Sequence, residues 1–266
     1  MRLLTNYLRQ RSANKRKDSQ IALSPDQLER HKRHIMLKEI GGPGVKKLMA
    51  TRVSLIGAGA LGGPCALYLA AAGVGTIDIY DDDRIDRSNL QRQIQFEDRN
   101  IGIHKAESLA ARLIALNPDI NARPHVTRFI GSENIDSNII IDATDNYETR
   151  YAINALAHTK CIPMVHGAAA GWSGQISIFA SGLHKDAPCY QCWVPETPPD
   201  AQGCDEVGVV GAVTGIVGTQ MALEAIKLIT GAGTPLIGRL TLVDALNGTQ
   251  RTLALNKDPA CQTCAC

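Results

Sequence analysis

Two Cys-x-x-Cys pairs, Cys189-Tyr190-Gln191-Cys192 and Cys261-Gln262-Thr263-Cys264, give this chain four thiols at the spacing that one tetrahedral metal ion accepts. Four thiolates leave no coordination position open for a substrate, so the chemistry expected is a structural zinc site that staples the end of the sequence to its middle. Disulfides or unrelated thiols are the plainer alternatives. A second group of capable residues lies earlier: Gly57-Ala58-Gly59-Ala60-Leu61-Gly62-Gly63, Asp81-Asp82-Asp83, Ser88-Asn89-Leu90-Gln91-Arg92-Gln93, Lys105 and Asp142-Ala143-Thr144-Asp145-Asn146. Glycines let a backbone approach a phosphate, and a helix start offers it free amides. Nicotinamide cofactors need little more, whereas ATP attacked at its α-phosphate needs cations for the departing pyrophosphate and carboxylates for magnesium. Arg92 and Lys105 are candidates for the first task and Asp145 for the second. Taken singly, Arg92 and Lys105 would be solvated charges, and Asp145 with Asn146 would cap the helix that starts at Tyr147.

The elements that must position these groups follow from pattern. Apolar residues 53–56 read as a strand entering the glycine-rich turn, with a small-residue helix over 64 to about 72. Residues 77–80 read as a second strand, and Asp81 at its carboxyl end lies nineteen residues past Gly62, where a ribose-binding acid belongs. Lys105 opens a helix whose buried face is Leu109, Ala110, Leu113 and Ile114, ended by Asn117-Pro118. Ile139-Ile140-Ile141 is a buried strand that places Asp145 at the same crevice. The fold class expected is α/β: a Rossmann-like, mostly parallel sheet with helices on both faces. Gln175-Ile176-Ser177-Ile178-Phe179, the run 239–244 and the run 250–255 around the turn Asn247-Gly248 alternate as strands and extend it antiparallel. Ser24-Pro25-Asp26-Gln27 reads as the first helix start of the globular part, with Ser24 as N-cap.

Length and composition narrow the classes. The 266 residues suffice for one large α/β domain with a substantial core. Aromatics are only 4%, which suits a tightly packed parallel sheet under small-residue helices. A net charge of +2 makes no electrostatic case for nucleic acid. Eight cysteines would suit a secreted chain, but the N-terminus has no apolar signal segment, so reduced thiols in the cytoplasm are expected. Residues 1–24 carry Arg2, Arg9, Arg11, Lys15, Arg16 and Lys17 against one acid, Asp18, and read as a basic extension outside the core, with an organellar transit peptide as the alternative. The apolar run 207–229 contains Gly211-x-x-x-Gly215 but is interrupted by Gln220, Glu224 and Lys227. It reads as a long buried helix with a wet end, and no membrane insertion is expected.

Taken together, these residues resemble the adenylyltransferases that activate ubiquitin-like proteins, specifically the MoeB/ThiF/HesA family, with the MoeB-like members closest in look. The resemblance runs from about residue 28 to the end, on the glycine loop, Asp81, the stretch 88–93, Lys105, Thr144-Asp145-Asn146, Gly167-Ala168-Ala169, Gly174-Gln175-Ile176 and both cysteine pairs. It implies one adenylation domain over 25–266, with an ATP-binding half over 25–150 and a carrier-binding half over 151–266 that includes a crossover loop, 193–207. It also implies a homodimer in which Arg33, within Arg30-His31-Lys32-Arg33-His34, reaches into the neighbouring subunit's ATP site. A plain basic helix face is the other reading of that segment.

The activity implied is adenylylation of the C-terminal Gly-Gly carboxylate of a small sulfur-carrier protein by ATP with Mg2+, releasing pyrophosphate. The nucleotide would be held by Gly57, Gly59, Gly62, Asp81, Asp83, Ser88, Asn89, Leu90, Gln91, Arg92, Gln93, Lys105, Asp145 and Asn146. Arg33, Arg92 and Lys105 would meet the phosphates, Asp81 the ribose and Asp145 the magnesium. The carrier expected first is the small subunit of molybdopterin synthase, in molybdenum-cofactor biosynthesis, and the thiamine-pathway carrier is the alternative. Sulfur is expected from a donor protein in trans, because relatives that also thiolate the carrier bear a C-terminal rhodanese domain and this sequence stops at Cys266. Relatives place a cysteine in the crossover loop, covalently acylated in some and dispensable in others. Here it is Cys204, and Asp205 and Glu206 beside it would raise its pKa. Cys65 and Cys161 read as small buried residues, and Cys266 as a tail thiol. From other classes, an NAD(P)-dependent oxidoreductase with structural zinc stays open, as does a catalytically silent partner, although silent halves lack the phosphate-site arginine and lysine that this chain has.

Overall fold

A computed structural model describes residues 22–198 and 208–265. The basic extension up to residue 21, most of the crossover loop with Cys204, and Cys266 lie outside the described residues. The first helix, α1 (Pro25–Ile35), begins where the sequence marks it. Ser24 Oγ accepts from Gln27 N at 3.2 Å and Gln27 Oε1 accepts from Ser24 N at 3.1 Å, so two otherwise orphaned amides are satisfied reciprocally. Helix α2 (Gly41–Met49) follows.

One eight-stranded sheet carries the rest, in the order β3-β2-β1-β4-β5-β6-β7-β8. Strands β1 (Arg52–Ile56), β2 (Thr76–Tyr80), β3 (Asn121–His125), β4 (Ile139–Asp142) and β5 (Met164–Ala170) are parallel; β6 (Ser173–Phe179), β7 (Arg239–Asp244) and β8 (Thr249–Ala254) continue antiparallel. Strand β3, with Arg123 and Pro124 in it, has no period-2 apolar signal and was not legible; as an outer strand it tolerates both. The order of β3-β2-β1 and β4-β5 turns outward in opposite directions from β1 and β4. That reversal opens a crevice at the carboxyl ends of the central strands.

Why three consecutive isoleucines sit in a central strand is visible in their packing. Ile139 and Ile141 belong to one apolar cluster, with Leu69 of α3 (Gly62–Ala72), Leu109 of α4 (Lys105–Leu116) and Val217 of α7 (Gly211–Thr230). Ile140 points the other way, into a cluster with Ile153 of α5 (Tyr147–Thr159) and Tyr190 of the short helix α6 (Tyr190–Trp193). Alternate side chains therefore meet helices on both faces, and each buried isoleucine contributes about 1.5–3 kcal/mol.

Several expectations are corrected in detail. Helix α3 starts at Gly62 instead of Pro64, because Gly62 lets the helix pack where a Cβ would lie 1.9 Å from Gly57 O. On α4, Ile114 faces outward at 44% exposure, away from the face of Leu109 and Leu113. Cys65 is buried, but Cys161 is only half-buried and has a φ of 53°. On α7, Gln220 and Lys227 are half-buried, but Glu224 is 4% exposed, with Lys227 on one oxygen and Leu236 N on the other at 2.8 Å. Helix α7 is long and apolar enough to cross a membrane, yet Val213, Val217 and Met221 pack it on the sheet.

Candidate active site

The crevice above β1, β2 and β4 has a volume of about 440 Å³, within the range of small-molecule sites. Its floor is the loop from β1 into α3. Gly57, at φ 92°, donates from its backbone N to Tyr80 O at 2.9 Å and passes so close to Ala143 that a Cβ would lie 2.7 Å from its carbonyl oxygen. Gly57, Gly59, Ala60 and Leu61 line the crevice, and among the described residues no side chain caps the start of α3. Gly62 packs behind the loop. The sequence could not show what holds this loop in place: buried Gln95 donates from Nε2 to Ala58 O at 2.9 Å and Gly59 O at 3.1 Å.

Asp81 ends β2, as its spacing predicts. Its Oδ2 accepts from Ala58 N at 2.7 Å and its Oδ1 from Asp83 N at 2.9 Å, which ties the glycine loop to the acidic run. Burial raises its pKa above the ordinary 3.8, and the negative charge of Asp83 adds to that; the two amide bonds and the nearby charge of Lys105 offset it only partly. Lys105 is 7% exposed, and its Nζ bonds Asp83 Oδ2 at 2.7 Å. A nearly buried ammonium is thus held at the crevice by an exposed carboxylate.

Arg92, Gln93, Asp145 and Asn146 also line the crevice. Arg92 donates from Nη1 to Ser88 O at 3.1 Å. Ser88, Asn89, Leu90 and Gln91 do not line it; they build the turn around Arg87–Asn89 that presents Arg92 and Gln93, with Asn89 O accepting from both backbone amides at 3.0 and 2.9 Å. Asn146 is the N-cap of α5, its Oδ1 accepting from Thr149 N at 2.9 Å, as the capping alternative has it. Among the described residues, the hydrogen bond Asp145 makes is a long one, its Oδ1 accepting from Asn146 Nδ2 at 3.5 Å. Arg33 is exposed on α1 and lines no part of its own chain's crevice.

Sequence reasoning missed Arg150, Thr127, Arg128 and Phe129, which line the crevice too. Arg150 had a signal: it stands four residues after Asn146, on the same helix face. Buried beneath the Thr144 turn is a pair from neighbouring parallel strands, Asp142 and His166, with 2.7 Å between Oδ2 and Nδ1. Burial of Asp142 opposes its ionisation, but the hydrogen bond and charge of His166, the charge of Arg150 and the Thr144 hydroxyl together hold its pKa below the ordinary range. Burial lowers the pKa of His166, opposed by the hydrogen bond and charge of Asp142.

The four cysteines meet beside α5, one turn further along it than Arg150. Sγ of Cys189 lies 3.5 Å from that of Cys261 and 3.9 Å from that of Cys192, and Cys192 lies 3.4 Å from Cys264. Ligands about 2.3 Å from a tetrahedral zinc stand roughly 3.8 Å apart, so this cluster can hold zinc; a disulfide would need about 2.05 Å. Asn154 of α5 donates from Nδ2 to Cys189 Sγ at 3.5 Å and accepts from Tyr190 N at 2.8 Å. The cluster is therefore built onto the helix whose first turn faces the crevice.

Comparison with known proteins agrees with this geometry. The model of the ThiF family matches residues 31–263. The chain is 41% identical to the SAMP-activating enzyme E1 of Haloferax volcanii, covering 92% of this chain and 91% of that one. It is 40% identical to the sulfur carrier protein ThiS adenylyltransferase of Escherichia coli, covering 88% and 94% respectively. Among solved structures, E. coli MccB with MccA-N7isoASN aligns at a TM-score of 0.80 and 18% identity over 92% of this chain and 76% of that one, a likeness of fold.

Proposed function

The chain belongs to the ThiF family, and from that premise we propose that it is an ATP-dependent adenylyltransferase acting on the C-terminal carboxylate of a ubiquitin-like sulfur carrier. The observation that carries the reading is the convergence of Lys105, Asp81 and Asp145 on one crevice around the glycine loop. The oxidoreductase alternative gives Asp81 a ribose to bind but leaves Lys105 and Asp145 without a task.

In the proposed reaction, an oxygen of the carrier's terminal carboxylate attacks the α-phosphorus of ATP. The bond from that phosphorus to the bridging oxygen breaks, pyrophosphate departs with the electron pair, and an acyl-adenylate stays for a separate sulfur donor. The chain's own residues position the groups and balance charge. Amides of the loop Gly57 to Leu61 receive phosphate oxygens, Asp81 receives ribose hydroxyls, and Lys105 moves its charge from Asp83 to the phosphates beside Arg92. Arg33 of the partner subunit completes that group in a homodimer. Asp145, with the acidic run at Asp83, would hold Mg2+, which supplies further charge neutralisation. Zinc in the four-cysteine cluster has a structural role, and no step needs it or Cys204. The antiparallel strands β6 to β8 form the surface on which the carrier lies.

The acceptor we put first is the molybdopterin-synthase small subunit, on the resemblance of residues 28–266 to MoeB-like sequences; the relatives' names include an adenylyltransferase of the sulfur carrier protein ThiS, and the thiamine-pathway carrier is the second arm of the test. Pyrophosphate release from purified protein with ATP, Mg2+ and each carrier in turn is the measurement. Release should require the Gly-Gly end. If neither carrier elicits it and carriers of other Gly-Gly proteins also fail, the reading is wrong.

A further inference from the structure

Thr144, next to Asp145, is held from both sides by buried groups that the reaction above does not use. Its backbone N and its Oγ1 donate to Asp142 Oδ1 at 3.2 and 2.6 Å, and its carbonyl oxygen accepts from Arg150 Nη2 at 2.8 Å. Arg150 is 5% exposed, and its guanidinium lies 5.3 Å from the centre of the Tyr147 ring. Such a place is unfavourable for a cation on two counts. Burial strips its water, and the first turns of α5 present the positive end of the helix dipole. The compensation comes from the Asp142 carboxylate, the Thr144 carbonyl and the nearby Tyr190 hydroxyl. Tyr190 in turn lies between Cys189 and Cys192, with its backbone N on Asn154.

We propose that Arg150 is a positioning residue: by gripping the Thr144 carbonyl it fixes the peptide that carries Asp145 and so aims that carboxylate, with Tyr190 of the cysteine turn steadying the guanidinium. A solvated arginine could not do this, because its fork would trade partners with water; a buried one has a single arrangement. The inference deepens the proposed function and rests on Asp145 holding the divalent cation that accompanies ATP. It also gives the cysteine cluster a path to the crevice through one side chain.

The test is the affinity for Mn2+ at saturating ATP, read by electron paramagnetic resonance on the metal-loaded protein, with metal-free ATP binding and melting temperature measured alongside. Arg150→Lys keeps the charge and loses the fork; Tyr190→Phe keeps the ring and loses the hydroxyl. We expect Mn2+ to bind about tenfold more weakly to Arg150→Lys and about threefold more weakly to Tyr190→Phe, while ATP alone binds within about twofold of the wild type. A purely structural role would weaken ATP binding and Mn2+ binding together, and that result overturns the proposal. So does wild-type Mn2+ affinity in Tyr190→Phe, which decides the matter if Arg150→Lys does not fold. Asp145→Ala separates the two levels: weakened Mn2+ binding there with none in the other variants removes only the positioning role, whereas unchanged binding there removes the reading of Asp145 and this inference with it.

Discussion

The crevice and the cysteine cluster flank the same helix, α5, and are built on opposite plans. The crevice collects polar side chains from the ends of three parallel strands, leaves many of them partly exposed, and holds them by bonds that can be exchanged, such as the Lys105 to Asp83 pair. The cluster takes four sulfurs from two short turns 72 residues apart and turns them inward on one another. Exchangeable bonds suit groups that must turn to an arriving nucleotide; a closed ligand set suits a joint. Removing a crevice residue should therefore cost rate with little stability, and opening the cluster should cost stability with little rate.

The largest effect expected is at Lys105. Lys105→Met keeps the aliphatic stem and removes the charge, so pyrophosphate exchange should fall by about 10²–10³-fold, with a melting temperature within about 4 °C of wild type. A variant that melts far lower yet retains most of its exchange activity would invert the comparison. The reverse pattern is expected from Cys261→Ser. Loss of one ligand from a structural metal site costs several kcal/mol, or roughly 10 °C in a domain of this size, while the ATP dissociation constant changes less than about threefold. An unchanged melting temperature after ligand loss or chelation would show that the cluster is no joint.

What the sequence showed of each region follows from the same contrast. A Cys-x-x-Cys turn is complete within four residues, so spacing alone exposes it. Asp81 and Asp145 were legible because a strand's carboxyl end is a place that can be counted along the chain. Gln95, Asp142 with His166, and Arg150 were not, because each acquires its role through packing. Gln95 reaches back 37 positions to the glycine loop, and Asp142 meets His166 only because β4 and β5 pair in one register. Ser88 to Gln91 show the opposite case: a stretch expected to hold the nucleotide lies outside the crevice lining and builds the turn that presents Arg92 and Gln93.

A pH titration probes the crevice without altering its shape. The pKa of Asp81 lies above 3.8, chiefly through burial. The folded protein therefore holds this proton more firmly than the unfolded chain, and the group's contribution to stability falls as pH rises through the raised pKa. ATP binding runs the other way, because ribose hydroxyls donate to the ionised carboxylate. Affinity should weaken severalfold as pH falls from neutral toward that raised pKa, measured by calorimetry over a range in which the protein stays folded. Asp81→Asn should bind ATP more weakly at neutral pH and flatten the profile. An unaltered pH profile in that variant would move the ribose contact elsewhere.

Asn146 offers the smallest effect and the finest division between the two plans. It stands beside Asp145 in the crevice lining, yet its carboxamide oxygen is engaged by Thr149 N at 2.9 Å. If the cap is its whole task, Asn146→Asp should keep that acceptor and leave both stability and exchange near wild type, because an aspartate at a helix N-terminus also favours the dipole. Asn146→Ala should cost about 1 kcal/mol, or roughly 2–4 °C, with the KM for ATP unchanged. A direct contact with nucleotide predicts a different pair of results. The added negative charge of Asn146→Asp beside the phosphates would then raise the KM for ATP severalfold despite an intact helix, and Asn146→Ala would raise it as well. Steady-state exchange kinetics on both variants, with thermal melts as the control for the cap, assign Asn146 to the scaffold or to the site.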